Sequence, residues 1–153
     1  MGLVLHGHGL RARTMFVRGA HRAEITEFLA RRYVCCVCGA VVLVVPAEVA
    51  RRHLYTLCVI AGALAAWSHG MLPARTVRAA YGAFPVVGAA ARGWPSLVRW
   101  IRGLSRLWPR LGPPPAASPR RAAHALCAKL SVFAPLPTGH VPDDAVAGAI
   151  HAA

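Results

Sequence analysis

The sequence predicts a mainly α fold, a small three-helix cluster preceded by a short β knuckle and followed by a Pro-rich linker and a C-terminal tail. Three observations predict it. Between Trp94 and Trp108, Trp94, Leu97, Ile101, Leu104 and Trp108 share one stripe at helical spacing, with Arg99, Arg102 and Arg106 roughly opposite. Two further helical patterns precede that segment, over 53–67 and 73–81. Pro113, Pro114, Pro115 and Pro119 then make 111–119 a stiff, extended stretch that closes the helical unit.

Residues 1–46 form a basic N-terminal region. Gly2, Gly7 and Gly9 indicate turns, and six arginines (Arg11, Arg13, Arg18, Arg22, Arg31, Arg32) face only Glu24 and Glu27. A short helix is expected over 20–31, with Ile25, Phe28 and Leu29 on one side. The run 33–45 reads as a strand pair interrupted by cysteines, because 41–45 is mostly β-branched, and Pro46 ends it.

The helical unit spans 47–109. A helix is expected over 47–67, apolar all round from Leu54 and therefore central in a core. Gly70 stops it, and Pro73 starts a second helix reaching Tyr81. One or two helical turns are expected over 85–91 before Gly93 and Pro95 restart the chain, and Pro109 ends the amphipathic helix. Beyond the linker at 110–119, the region 120–153 holds a short helix over 120–133, with Leu126, Leu130 and Phe133 on one side, and a loose tail.

Charge narrows the function. The formal net charge is +13, from seventeen arginines and the single Lys129 against five acids. Codon bias in a GC-rich genome explains arginine in place of lysine but not the scarcity of acids. Arginine forks suit phosphate and guanine edges, so the expected partner is double-stranded DNA. Two-metal phosphoryl chemistry needs converging carboxylates, and no catalytic acidic triad is available, so no enzymatic activity is expected. The other histidines of the chain from His21 onward are scattered and carry no assigned chemistry.

Five cysteines, three of them at 35, 36 and 38, make a poor disulfide framework. With no signal-peptide pattern at the start, the expected location is the cytoplasm. The apolar runs 33–46 and 54–67 are each about fourteen residues, short of the roughly 20 that span a bilayer, which disfavours a membrane hairpin.

Cys35 and Cys38, followed directly by Gly39, have the spacing of a knuckle that gives two thiolates to one zinc. That is half of a tetrahedral site, and His6 and His8 complete it only if their segment folds back. The competing reading is three small apolar residues in a strand turn.

Taken in order, His-Gly-His-Gly-Leu-Arg at 6–11, Arg-Arg-Tyr-x-Cys-x-x-Cys-Gly-Ala at 31–40, Val-Val-Pro at 44–46, Leu-Tyr at 54–55 and Trp-Pro-Ser-Leu-x-Arg-Trp at 94–100 resemble the N-terminal DNA-binding region of insertion-sequence transposases. That region joins a zinc ribbon to a helix-turn-helix, and the resemblance covers roughly 3–108. It implies a further Cys-x-x-Cys just ahead of the His-Gly segment, where this sequence begins, so either the true start lies upstream or the ribbon has degenerated. It also implies a recognition helix in 94–108, with Leu97 and Trp100 packing and Arg99 and Arg102 toward DNA. Tyr81 to Trp94 is longer than the usual turn between two such helices, so the short 85–91 segment is the other candidate.

The DNA-contacting residues expected are Arg75, Arg78, Arg92, Arg99, Arg102 and Arg106; the metal ligands expected are Cys35 and Cys38. Two alternatives compete. One is a membrane-associated basic protein whose helix 94–108 lies in the interface. The other is a decayed mobile-element fragment with no specific role.

Overall fold

The computed structural model describes residues 4–19, 22–50, 53–85, 87–88, 92–112 and 118–153. Gly2, most of the helical turns expected over 85–91, and Pro113 to Pro115 of the expected linker lie outside them. A long antiparallel hairpin comes first, β1 (Leu5–Arg18) and β2 (Ala23–Cys35), and β3 (Val41–Val44) pairs with β2 to give the order β1-β2-β3. Among the described residues six α-helices follow: α1 (Leu57–Ser68), α2 (Ala74–Tyr81), α3 (Pro95–Arg102), α4 (Leu104–Leu107), α5 (Pro119–Ser131) and α6 (Val141–His151). This is a mixed fold of sheet and helices, which corrects the expectation of a mainly α, three-helix cluster of helix-turn-helix type.

The first correction lies at 20–31, where a helix was expected and β2 stands. Ile25, Phe28 and Leu29 do have helical spacing. The decisive interaction is remote in sequence, because β1 pairs along almost the whole of β2, from Arg18 with Ala23 to Leu5 with Cys35. A ladder of that length ties up the backbone groups that face across the hairpin and overrides local propensity. The register slips once, where His8 and Gly9 stand opposite Arg32; Gly9 takes φ +84°, a conformation that glycine adopts without strain.

The second correction concerns the start of α1, expected at 47 and found at 57. The Thr56 amide donates to the Phe16 carbonyl at 3.0 Å, and the Phe16 amide donates to the Leu54 carbonyl at 2.6 Å, so this stretch is spent in tying the hairpin to the helices. Thr56 then caps α1, its hydroxyl accepting from the Val59 amide at 3.5 Å. Such a cap contributes about 1 kcal/mol. The apolar half of the expected helix is central as predicted, with Leu57, Ile60, Leu64 and their neighbours buried.

The third correction concerns 120–153, which is neither loose nor separate. Leu126, Cys127 and Leu130 of α5 and Ala145, Ala149 and Ala152 at α6 belong to the same buried cluster as α1, α3 and α4. The Trp108 indole N–H donates to the Ala149 carbonyl at 2.7 Å, which joins α6 to the end of α4. Cys58 is half-buried and Cys127 fully buried, and burial pushes the Cys127 thiol up to about 12.

Among the described residues the sheet packs on the helices near the β1–β2 turn, where Phe16 and Ala23 cluster with Val59 and Ala83. From there it runs outward. Ile25 to Cys35 is ten residues, so the cysteine turn sits about 33 Å beyond that junction. Among the described residues no helix is long and apolar enough to cross a membrane.

Candidate functional site

The amphipathic segment 94–108 folds as two helices. Gly103 interrupts it, its amide donating to the Arg99 carbonyl at 2.9 Å before α4 begins. The expected stripe is buried on both sides of that break: Trp94, Leu97, Ile101, Leu104 and Trp108, joined by Trp100 and Leu107. Tyr55, Trp94 and Trp100 form an edge-to-face triad with centroids 5.0 to 6.0 Å apart. Phe16 of β1 stacks edge-on against Tyr55 at 4.8 Å, so the hairpin and the loop before α1 together fix the orientation of α3.

Opposite the aromatics, Arg99, Arg102 and Arg106 are exposed, and Arg110 follows in a single 3₁₀ turn at Pro109–Leu111. Leaving Arg78 aside, no described arginine lies within 4.0 Å of a carboxylate, and the ion pair present among the described residues is His140 with Asp143 at 2.8 Å. The basic face is therefore not neutralised from within. Its field reaches His53, whose pKa is lowered first by burial and then by Arg99 and Arg106.

The other predicted contacts lie elsewhere. Arg75 and Arg78 of α2 line a cleft of about 250 Å³ with Arg22 from the hairpin turn, Phe84 and Pro85. Arg78 also donates to the Gly93 carbonyl at 3.2 Å and so tethers α2 to the chain entering α3, a positioning role that the sequence did not indicate. Arg92 is exposed just ahead of that point.

Two further features escaped the sequence reading. Arg11, Arg13 and Arg32 share one face of the hairpin, by register with Phe28 and Ala30, and make it a basic two-stranded ribbon. The alternation Leu10-Arg11-Ala12-Arg13 was the available signal. The histidines dismissed as scattered also converge: His69 stacks on His124 at 3.8 Å, and His69, His140, Asp143, Arg18 and Tyr81 line a cleft of about 510 Å³ between α1 and α6. Burial is the first cause lowering the pKa of His69.

The cysteine turn closes tightly. The Cys35 amide donates to the Ala40 carbonyl and the Gly39 amide to the Cys35 carbonyl, each at 2.9 Å, with Gly39 at φ +69°. The Cys38 and Val37 amides, in that order, donate to the Cys35 sulfur and hold its thiol below the ordinary range; the Cys38 thiol adds to them. His6 does fold back, but Nδ1 meets Cys36 Sγ at 2.9 Å rather than the Cys35 and Cys38 pair. Among the described residues no three of His, Cys, Asp or Glu converge on a metal-sized site, so one copy of this turn offers two of the four donors that a structural zinc takes.

Comparison with known proteins found no matching family model, no matching curated protein and no matching solved structure.

Proposed function

We propose that the protein binds double-stranded DNA, with no chemistry of its own, through the arginine face of α3 and α4. One observation carries this reading: Arg99, Arg102 and Arg106 project from a segment whose other side is locked by buried tryptophans, and no carboxylate competes for them. Such a face presents guanidinium forks on a rigid support, which is what phosphate neutralisation needs. Arg75 and Arg92 are further candidates for backbone contact.

A membrane-surface role draws less support from the packing. Trp94, Trp100 and Trp108 are 6%, 2% and 0% exposed, so the segment has no apolar face left to insert into a bilayer.

Fluorescence anisotropy with a labelled random duplex, run beside co-sedimentation with anionic vesicles, tests the proposal. The expected result is duplex binding that weakens in an Arg99→Gln/Arg102→Gln variant. Vesicle binding with no affinity for the duplex would overturn it.

A further inference from the structure

We propose that the cleft between the hairpin turn and α2 is a nucleotide site, which takes the phosphate of a nucleoside phosphate on Arg22, Arg75 and Arg78 and its unpaired base on Phe84. These four residues line a recess of about 250 Å³ whose walls also include Gly82 and Pro85. Small-molecule sites span roughly 300–1,000 Å³, so this recess admits a phosphate-sized head and part of a ring but no duplex.

The arginines arrive from two elements. Arg75 and Arg78 stand three residues apart on one face of α2. Arg22 comes from the hairpin turn, which is closed by the Gly19 amide donating to the Arg22 carbonyl at 3.0 Å. The Arg78 guanidinium is held in place by its 3.2 Å donation to the Gly93 carbonyl. Among the described residues no acid lines the cleft, and neither Arg22 nor Arg75 has a carboxylate within 4.0 Å. Three permanent positive charges on one recess repel one another, and an anion between them relieves that repulsion. A phosphate monoester carries about −1.5 to −2 charges at pH 7 and offers three strong acceptor oxygens, which suits three guanidinium forks.

Phe84 supplies the second half of the recognition. It is 61% exposed although it lines the cleft, and its ring is held at 87° to that of Phe16 with centroids 5.6 Å apart. A ring fixed in place yet open to solvent is a platform on which a flat base can stack. A base inside a duplex is already stacked on both sides and cannot use it, so the ligand is a nucleotide whose base is free. The site is separate from the duplex face of α3 and α4, and the inference does not depend on that face.

Isothermal titration calorimetry of the full chain with adenosine monophosphate, inorganic phosphate and phenyl phosphate tests the proposal. The expected result is one nucleotide bound per chain, more tightly than either of the other two ligands. Arg22→Gln, at an exposed turn position, weakens nucleotide and inorganic phosphate alike by about tenfold or more. Phe84→Ala weakens the nucleotide by about tenfold and leaves inorganic phosphate unchanged, and Phe84→Trp restores the nucleotide, which separates stacking from damage to the fold. Arg99→Gln/Arg102→Gln keeps nucleotide binding, which separates the cleft from the general pull of a chain of charge +13. No nucleotide binding, nucleotide binding indifferent to Arg22→Gln, or phenyl phosphate bound as tightly as the nucleotide would each overturn the proposal.

Discussion

Replacing Gly148 by alanine separates helix propensity from tertiary packing, because the two predict opposite signs. Gly148 lies inside α6, where alanine is favoured over glycine by about 1 kcal/mol on propensity alone. The structure places that position against α5. A Cβ there would overlap the Leu130 carbonyl oxygen and lie 3.0 Å from its carbon and 3.1 Å from the Ala134 amide nitrogen. All three are backbone atoms and none can rotate away, so α5 and α6 must part. Overpacking of this kind costs about 1–3 kcal/mol, occasionally more. It also pulls Ala149 away from the Trp108 indole, whose hydrogen bond at 2.7 Å is buried. Leaving a buried carbonyl unpaired costs a further ~1–3 kcal/mol. Set against the propensity gain, the net loss is about 3 kcal/mol, a fall in Tm of about 6–12 °C for a chain of this size. Urea unfolding followed by circular dichroism measures it, with the exposed Ala147→Gly as a control that reads propensity alone. A Gly148→Ala protein as stable as the parent, or more so, would refute the packing of α6 on α5.

Two further predictions follow from ionisable groups. The Asp144 carboxylate accepts from the Thr138 amide at 2.7 Å, the Thr138 hydroxyl at 2.8 Å and the Gly139 amide at 3.0 Å, and the Thr138 amide is the first cause lowering its pKa. Its stabilisation is present above the ordinary aspartate value near 3.9 and is lost as pH falls through the lower folded value, so Asp144→Asn should lower Tm at pH 7 and flatten the loss below about pH 4. His53 has the opposite pattern: its lowered pKa means the folded state resists protonation, so stability declines as pH falls below about 6.5, and His53→Gln should remove that decline. Phosphates on Arg99 and Arg106 would relieve the repulsion and raise the His53 pKa, so duplex affinity should increase toward acid pH in the parent and not in His53→Gln.

What could be read in the sequence was whatever one short segment decides for itself. The stripe from Trp94 to Trp108, the helix after Pro73, the run at 41–45 and the turn at Cys35–Gly39 each carry their signal within a few residues. The hairpin did not, because β2 owes its conformation to β1 and its local spacing of Ile25, Phe28 and Leu29 mimics a helix. The helix expected over 120–133 stands as α5, whereas α6 was missed, for another reason. Ala145, Gly148, Ala149 and Ala152 bury little area each and enter the core by close approach, which hydropathy does not report. Within the site, the arginine face was legible as periodicity, while the cleft joining Arg22 to Arg75 and Arg78 and the convergence of His69, His124 and His140 arise only when α1, α2, α5 and α6 assemble.

The most direct measurement is the salt dependence of duplex affinity for the parent and for Arg99→Ala/Arg102→Ala/Arg106→Ala. Each phosphate contact contributes about 0.9 to the slope of log affinity against log salt, so three lost contacts should shallow it by up to about 2.7 while thermal unfolding stays unchanged. An identical slope in the two proteins would contradict the assignment of the DNA face to α3 and α4.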